Sequence, residues 1–481
     1  MTISPEIRIP EFLSPLDWIV FAGVLLVTIG TVIWGNRRHA RDPDEGAGIL
    51  DLLLMGRRLT LPLFTGTLVA TWYGGIFSVT EFAFTTGVYS WVTQGGFWYA
   101  AYLIFAFCLV GRIRATNATT MPDLLERQFG ARSGKVGAWL NLFNVLPVTY
   151  VISLGVLLHM IFGWGHVGGW MIAGTALVLA YSTSGGLRSV VLSDMIQFFV
   201  MCLSVALVIA FSFSSFGGLT WLRAQPSIPA SHWNPLGEGI PIGTTLVWGL
   251  VAFGTLVDPN FYQRCLAAES PRTAKRGILF ATLIWVCFDF CTTFGALYAL
   301  AVIPEAESLT AYLTYSVQLL PPGLKGFFLA GILATILSTL DSYLFLSGTV
   351  TAYDLAPKKW KGSVRVHHLG TLGVGVVAVV LTQLFMDTPL VDVWKFFGGF
   401  STACLLLPLM VGLALPGRLR DQDFVLACLG GVVALLGFWG VQWILPEGHV
   451  ALEWEPFYFG VLGTVPGLSF SFAAHKIGVD P

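Results

Sequence analysis

Apolar stretches recur along the whole chain, at about residues 15 to 35, 61 to 88, 93 to 111, 136 to 162, 167 to 184, 189 to 213, 241 to 259, 277 to 303, 325 to 352, 368 to 386, 394 to 416, 423 to 445 and 456 to 474. Crossing about 30 Å of hydrocarbon takes roughly 20 apolar residues wound as a helix. The pattern therefore predicts an all-α polytopic membrane protein of about 13 transmembrane helices. Backbone groups in lipid have no water to bond, so stretches of this length must be helices rather than strands or loops. One membrane domain, residues 1–481, accounts for the whole length.

Two of the stretches carry breakers in their interior. The second holds Thr71-Trp72-Tyr73-Gly74-Gly75, and the seventh holds Phe253-Gly254-Thr255 followed by Asp258-Pro259-Asn260. Glycine loosens a helix and proline removes a donor. Unwound backbone at mid-depth is tolerated where it lines a cavity or binds an ion. Two broken helices in corresponding positions of two halves are what an inverted-repeat transporter presents, with its site at the repeat interface. Gly-mediated helix packing accounts for either break taken alone.

Composition agrees with the membrane reading and charge adds sidedness. The hydrophobic fraction is 55% and the charged fraction 11%, against about 25% charged in a soluble domain. Lys and Arg in short loops mark the cytoplasmic side. With the N-terminus outside, 22 of the 26 Lys and Arg residues fall on one face, among them Arg37, Arg41, Arg188, Arg264, Lys358 and Lys476; only Arg8, Arg223, Lys325 and Lys395 fall on the other. The expected topology is N-out, C-in, in a cell inner membrane. The first stretch follows a nearly uncharged leader without a small-residue cleavage site and reads as a retained helix. No basic tail suggests nucleic acid. The seven cysteines lie in spans or at cytoplasmic ends, where disulfides are not expected.

Carboxylates within a membrane are costly unless paired, hydrated or neutralised. Glu81, Asp194, Asp289 and Asp341 sit within or near span ends. Asp194 and Asp341 lie in hydroxyl-rich settings, Leu192-Ser193-Asp194-Met195-Ile196-Gln197 and Leu337-Ser338-Thr339-Leu340-Asp341-Ser342. Hydroxyls beside free carbonyls make a hard-oxygen cage suited to sodium, while a Ser-Thr pair back-bonded to the preceding turn is the plain alternative.

These residues resemble the sodium:solute symporters, which share the leucine-transporter-like fold. The strongest match is Tyr181-Ser-Thr-Ser-Gly185-Gly186-Leu187-Arg188 running on to Ser193-Asp194-Met-Ile-Gln197. Gly66-Thr67-Leu68-Val69-Ala70-Thr71-Trp72-Tyr73-Gly74, Gln263-Arg264-Cys-Leu-Ala267-Ala268-Glu269-Ser270 and Ala334-Thr335-Ile-Leu-Ser338-Thr339-Leu-Asp341-Ser342 follow in the expected order. The resemblance implies a 5+5 inverted repeat over residues 50–215 and 241–416, an extra N-terminal helix at 15–35 and peripheral helices at 423–475. It implies a sodium site formed by the backbone oxygens of Ala70, Tyr73 and Thr335 and the hydroxyls of Ser338 and Thr339. It also implies a second cation or release site at Asp194 and Asp341.

Substrate contacts do not carry over. Where sugar-transporting members have polar residues, this chain has Val251, Gly254 and Trp285, and where the proline transporter has an Asp it has Trp72. The pocket is expected from Trp72, Tyr73, Phe77, Phe97, Trp98, Thr255 and Trp285, with Asp289 one helical turn from Trp285 as an anchor. Such an aromatic box with one carboxylate suits a cation, through ring quadrupoles; packing is the plain alternative for the same rings.

The expected protein is thus a sodium-coupled secondary active symporter that moves a small organic solute by alternating access. Sodium is carried cargo rather than a prosthetic group; the partners are sodium, the solute and the bilayer. No covalent chemistry is required, and the eight histidines are scattered, which disfavours an enzyme. Two readings of the same fold stay open: proton coupling through Glu81, Asp194, Asp289 or Asp341, and a transporter-like sensor without its own signalling domain.

Overall fold

The computed structural model describes residues 9–39, 49–182, 185–386, 388–446, 449, 451 and 454–469. Arg8, Arg41 and Lys476 of the charge pattern, Thr183 and Ser184 of the strongest motif, and the thirteenth stretch beyond residue 469 lie outside the described residues. Among the described residues the chain is helical throughout, with one isolated bridge between Leu59 and Ala268.

Among the described residues, ten helices are long and apolar enough to cross a membrane: Pro15–Gly35, Val88–Ala115, Ala131–Phe162, Gly186–Phe216, Ile242–Ala267, Pro271–Val302, Leu324–Leu355, Val364–Thr382, Leu390–Ala414 and Asp421–Ile444. The second apolar stretch is split into Leu61–Ala70 and Ile76–Thr86, the fifth is the shorter Val167–Ser182, and the last opens with Pro456–Gly463. The seventh span does not stop near residue 259. Asp258 and Pro259 begin a second half-helix, Pro259–Ala267, so the Gln263-Arg264 motif belongs to the span and not to the loop after it. Hydropathy also passes over Ser308–Leu319, a buried helix between the eighth and ninth spans that is too short to register.

Small residues let the inner helices approach closely, the usual device where lipid provides no hydrophobic drive between helices. A Cβ at Gly331 in the ninth span would run into Ser204 of the sixth, and one at Gly277 in the eighth into Phe64 of the second. The first span is pinned to the head of the ninth by Asp17. Its Oδ1 accepts from the Gly323 and Gly326 amides at 2.7 and 3.0 Å, and Oδ2 accepts from Ser14 Oγ at 2.6 Å. That buried carboxylate serves amides orphaned at a helix start, where negative charge is favoured.

Candidate functional site

The break in the second span frees a carbonyl and the ninth span takes it. Helix ends at Ala70, and Ser338 Oγ donates to Ala70 O at 2.7 Å. The same hydroxyl lies 2.8 Å from Ala334 O and 3.1 Å from Thr335 O, and Thr339 Oγ1 donates to Thr335 O at 3.0 Å. Gly74 lets the unwound segment sit against this face: a Cβ there would stand 2.6 Å from Thr339 Cβ and 2.7 Å from Tyr150 Cδ1. Ala70, Thr335, Ser338 and Thr339 are fully buried. Tyr73, three residues beyond Ala70, packs its ring 4.0 Å from that of Phe288, and its carbonyl accepts from the Ile76 amide at 3.1 Å. Four of the five positions expected to hold sodium thus meet across one helix contact, with Tyr73 in the same unwound turn.

The seventh span breaks differently. Phe253–Val257 is wound tightly as 3-10 helix, and Asp258 then caps the second half, its Oδ1 accepting from the Asn260 and Phe261 amides at 2.8 and 3.3 Å. Asp at the N-cap with Pro at the next position is a strong helix-start pair. Replacing Asp258 by Ala is expected to cost about 1 kcal/mol through the lost cap, read as a lowered Tm of the purified protein, with Asn retaining most of it.

Between the two breaks lies a cavity of about 1100 Å³, counting the part open to solvent. Of the residues expected to bind solute, Trp72, Trp98, Thr255 and Asp289 line it, as does Tyr73. Phe77, Phe97 and Trp285 do not: Phe77 is buried in the core, Phe97 packs on Gly249, and Trp285 lies behind the wall with its ring 4.3 Å from that of Tyr102. Tyr102, Tyr150, Tyr343, Trp394 and Gln94 line the cavity without having been singled out in the sequence, and Asp258, noted there only as part of a break, lines it too. Gln94 is offered by a π-helical stretch, Trp91–Gly96, a form that tends to mark functional positions. No hydropathy pattern reports such a turn.

Towards one end the cavity shares Val251 and Gly399 with a shallower one lined by Asp392, Lys395 and Glu455. Two tryptophans of the central wall continue into a third: Trp98 stacks on Trp394 at 5.7 Å, Trp394 on Trp248 at 6.2 Å, and Lys395 Nζ stands 4.7 Å from the Trp248 centroid.

At the other end the floor is charged. Arg264, grouped with the loop charges by its sequence position, is fully buried. It donates to Thr71 Oγ1 at 2.9 Å, Ser342 Oγ at 2.7 Å and Asn260 Oδ1 at 3.0 Å, and Nη2 lies 3.6 Å from Asp194 Oδ2. Thr67 donates to the same Asp194 oxygen, while Asp341 Oδ2 accepts from Ser193 at 3.3 Å. One guanidinium therefore ties together the second, sixth, seventh and ninth spans. Below it, Leu59 N donates to Ala267 O and Glu269 N to Leu59 O, both at 3.1 Å, and Arg114 Nη1 donates to Leu266 O at 2.7 Å.

Two broken helices facing across a central cavity, with freed backbone oxygens on one wall, define a secondary transporter. The chain matches the model of the Sodium:solute symporter family over residues 55–416 and belongs to that family. It is similar to the sodium/pantothenate symporter of Escherichia coli, 26% identical over 76% of this chain and 75% of that protein. It is also similar to the sodium/glucose cotransporter of Vibrio parahaemolyticus, 25% identical over 86% and 80%. Among solved structures, the substrate-bound outward-open state of a Na+-coupled sialic acid symporter shares the fold with a TM-score of 0.75, 16% identity and coverage of 96% of this chain and 98% of that one. The inward-facing conformation of Mhp1 aligns with a TM-score of 0.51 at 13% identity, covering 86% and 91%. The protein is a multi-pass membrane symporter of the leucine-transporter-like fold that couples sodium to a small solute by alternating access, not an enzyme.

Proposed function

We propose that sodium binds where the Ser338 hydroxyl meets the Ala70 carbonyl, held by Ala70, Tyr73 and Thr335 backbone oxygens and the Ser338 and Thr339 hydroxyls, and that the solute binds in the adjoining cavity. The contact of 2.7 Å between a released carbonyl and a hydroxyl of the ninth span carries the reading. Hard oxygens gathered there, on two elements that must separate for the cavity to open, suit a small cation. Sodium then fixes the second span against the ninth and raises solute affinity, and by linkage solute raises sodium affinity equally. Gly74→Ala tests the contact. The new Cβ would push the unwound turn off Thr339, and overpacking costs about 1–3 kcal/mol; the sodium concentration for half-maximal uptake should rise about tenfold, read in a sodium titration in proteoliposomes.

Asp194 and Asp341 are proposed as a second cation or release site. With both ionised they outnumber Arg264, and Asp194 Oδ1 is buried without a hydrogen-bond partner. Arg264 seals the cavity floor on the cytoplasmic side; the tryptophan stack on the opposite side, held by ring contacts and the Lys395 ammonium rather than by a buried ion pair, is the easier gate to open. The repeats run over residues 50–215 and 241–416 of one membrane domain, with residues 15–35 and 423–475 peripheral. The chain lies in a cell inner membrane, N-terminus outside and C-terminus inside, a reading supported by the Lys and Arg distribution once the buried Arg264 is left out of it.

A further inference from the structure

We infer that the solute is an organic cation whose ammonium group pairs with Asp289; this rests on the reading that the central cavity is the solute site. Asp289 is 5% exposed and lines that cavity. Its Oδ2 accepts from Tyr99 Oη at 2.5 Å, and Tyr99 Oη in turn accepts from Trp91 Nε1 at 3.2 Å. No Lys, Arg or His pairs with it, and Oδ1 has no hydrogen-bond partner among the described residues. Three further buried carboxylates have other tasks: Asp258 caps a helix, Asp194 faces Arg264, and Asp17 serves two amides. A buried carboxylate without a counter-charge is costly, and a cation delivered by the cargo removes that cost.

The rest of the cavity points the same way. Among its lining residues are Asp258 and Asp289 but no Lys, Arg or His. Arg264 lies outside this lining, its Nη1 and Nη2 held by Asn260, Thr71 and Ser342. Trp72, Tyr73, Trp98 and Tyr102 contribute rings to the wall. Ring faces attract alkylammonium groups, most strongly when desolvated. At the mouth, Asp392 and Glu455 stand against a single Lys395, itself 3.4 Å from Glu455. A carboxylate solute would therefore find two carboxylates and no cation among the lining side chains.

Thermal-shift and binding measurements on the purified full-length protein, each in sodium and in potassium, separate this inference from the one beneath it. The probes are choline, its uncharged isostere 3,3-dimethyl-1-butanol, ethanolamine, agmatine, pantothenate, proline and glucose. At least one of the cations should bind in sodium, choline more tightly than its isostere. Truncating one partner of a buried charge pair costs about 2–5 kcal/mol, so Asp289→Asn should weaken the cation about 30-fold or more. The shift produced by sodium alone should persist in that variant, which shows that it is folded. Cation binding that is equal in sodium and potassium upholds the cargo class and overturns sodium coupling at this site. Sodium-dependent binding of pantothenate, proline or glucose that Asp289→Asn leaves unchanged overturns the cargo class alone. So does a sodium shift on the unmodified protein accompanied by binding of none of the cations, or by choline and its isostere binding equally; that comparison needs no variant at all.

Discussion

Replacing Ser338 and Thr339 together by Ala is expected to abolish sodium-stimulated uptake while leaving the protein folded. The two hydroxyls are fully buried, and each now donates to carbonyls of its own helix or of the break. A hydroxyl has one proton and two lone pairs, so an arriving cation can claim the lone pairs while the proton keeps a carbonyl. Ala retains the helix and removes those oxygens, together with one methyl group from Thr339. Interactions with a full charge are worth about 1.5–3 kcal/mol each, so losing two should weaken sodium at least a hundredfold, beyond what a transporter working at physiological sodium tolerates. The measurement is solute uptake into proteoliposomes against sodium concentration, with Tm and monodispersity as folding controls. Unchanged sodium dependence in the double variant would remove the site assignment. Sodium-free uptake driven by a pH gradient would instead select proton coupling.

Arg264→Met should be the most destabilising single change in the interior. Breaking a buried ion pair by removing one partner costs about 3–5 kcal/mol, because the remaining charge stays buried. Here that charge is Asp194, fully buried and 3.6 Å from the guanidinium. The hydroxyls of Thr71 and Ser342 lose their donor at the same time. Adding Asp194→Asn should restore much of the stability, since the stranded charge is gone, yet transport should stay lost because the second and ninth spans are no longer tied. Thermal unfolding of the two single variants and the double, with uptake measured in parallel, gives the coupling energy directly. If Arg264→Met alone unfolds like the parent and transports normally, Arg264 does not seal the floor.

The contact proposed to hold sodium was legible because it lies in runs of adjacent residues. Ala70 to Gly75 sit at a break marked by two glycines, and Thr335, Ser338 and Thr339 lie on one helix at spacings of three and four, which put them on a single face. The cavity wall was legible only in part. Trp72, Trp98, Thr255 and Asp289 stood out as unusual residues in apolar spans, but Tyr102, Tyr150 and Trp394 look like any membrane aromatic until their neighbours are known. Trp285 misleads for the same reason: one helical turn from Asp289, it turns its ring to Tyr102 and stands behind the wall. Arg264 is the sharpest case. Next to a polar segment it reads as a loop cation, and only the second half-helix begun by Asp258 and Pro259 carries it inside.

By itself the sequence determined that the chain is a helical membrane protein with two interrupted spans, because hydrocarbon admits few structures and the length and polarity of each segment decide among them. It determined as well which hydroxyls and carbonyls were available to a small cation, since these are local properties of a break and of a helix face. The tertiary structure alone decided which carboxylates face a cation and which, like Asp289, line the cavity without one. Partners across spans are set by packing between residues far apart in the chain, as Asp194 and Arg264 are, and no periodicity encodes such a pair. That difference sets Asp289 apart from the other acidic residues in apolar surroundings and makes it the group proposed to recognise the solute.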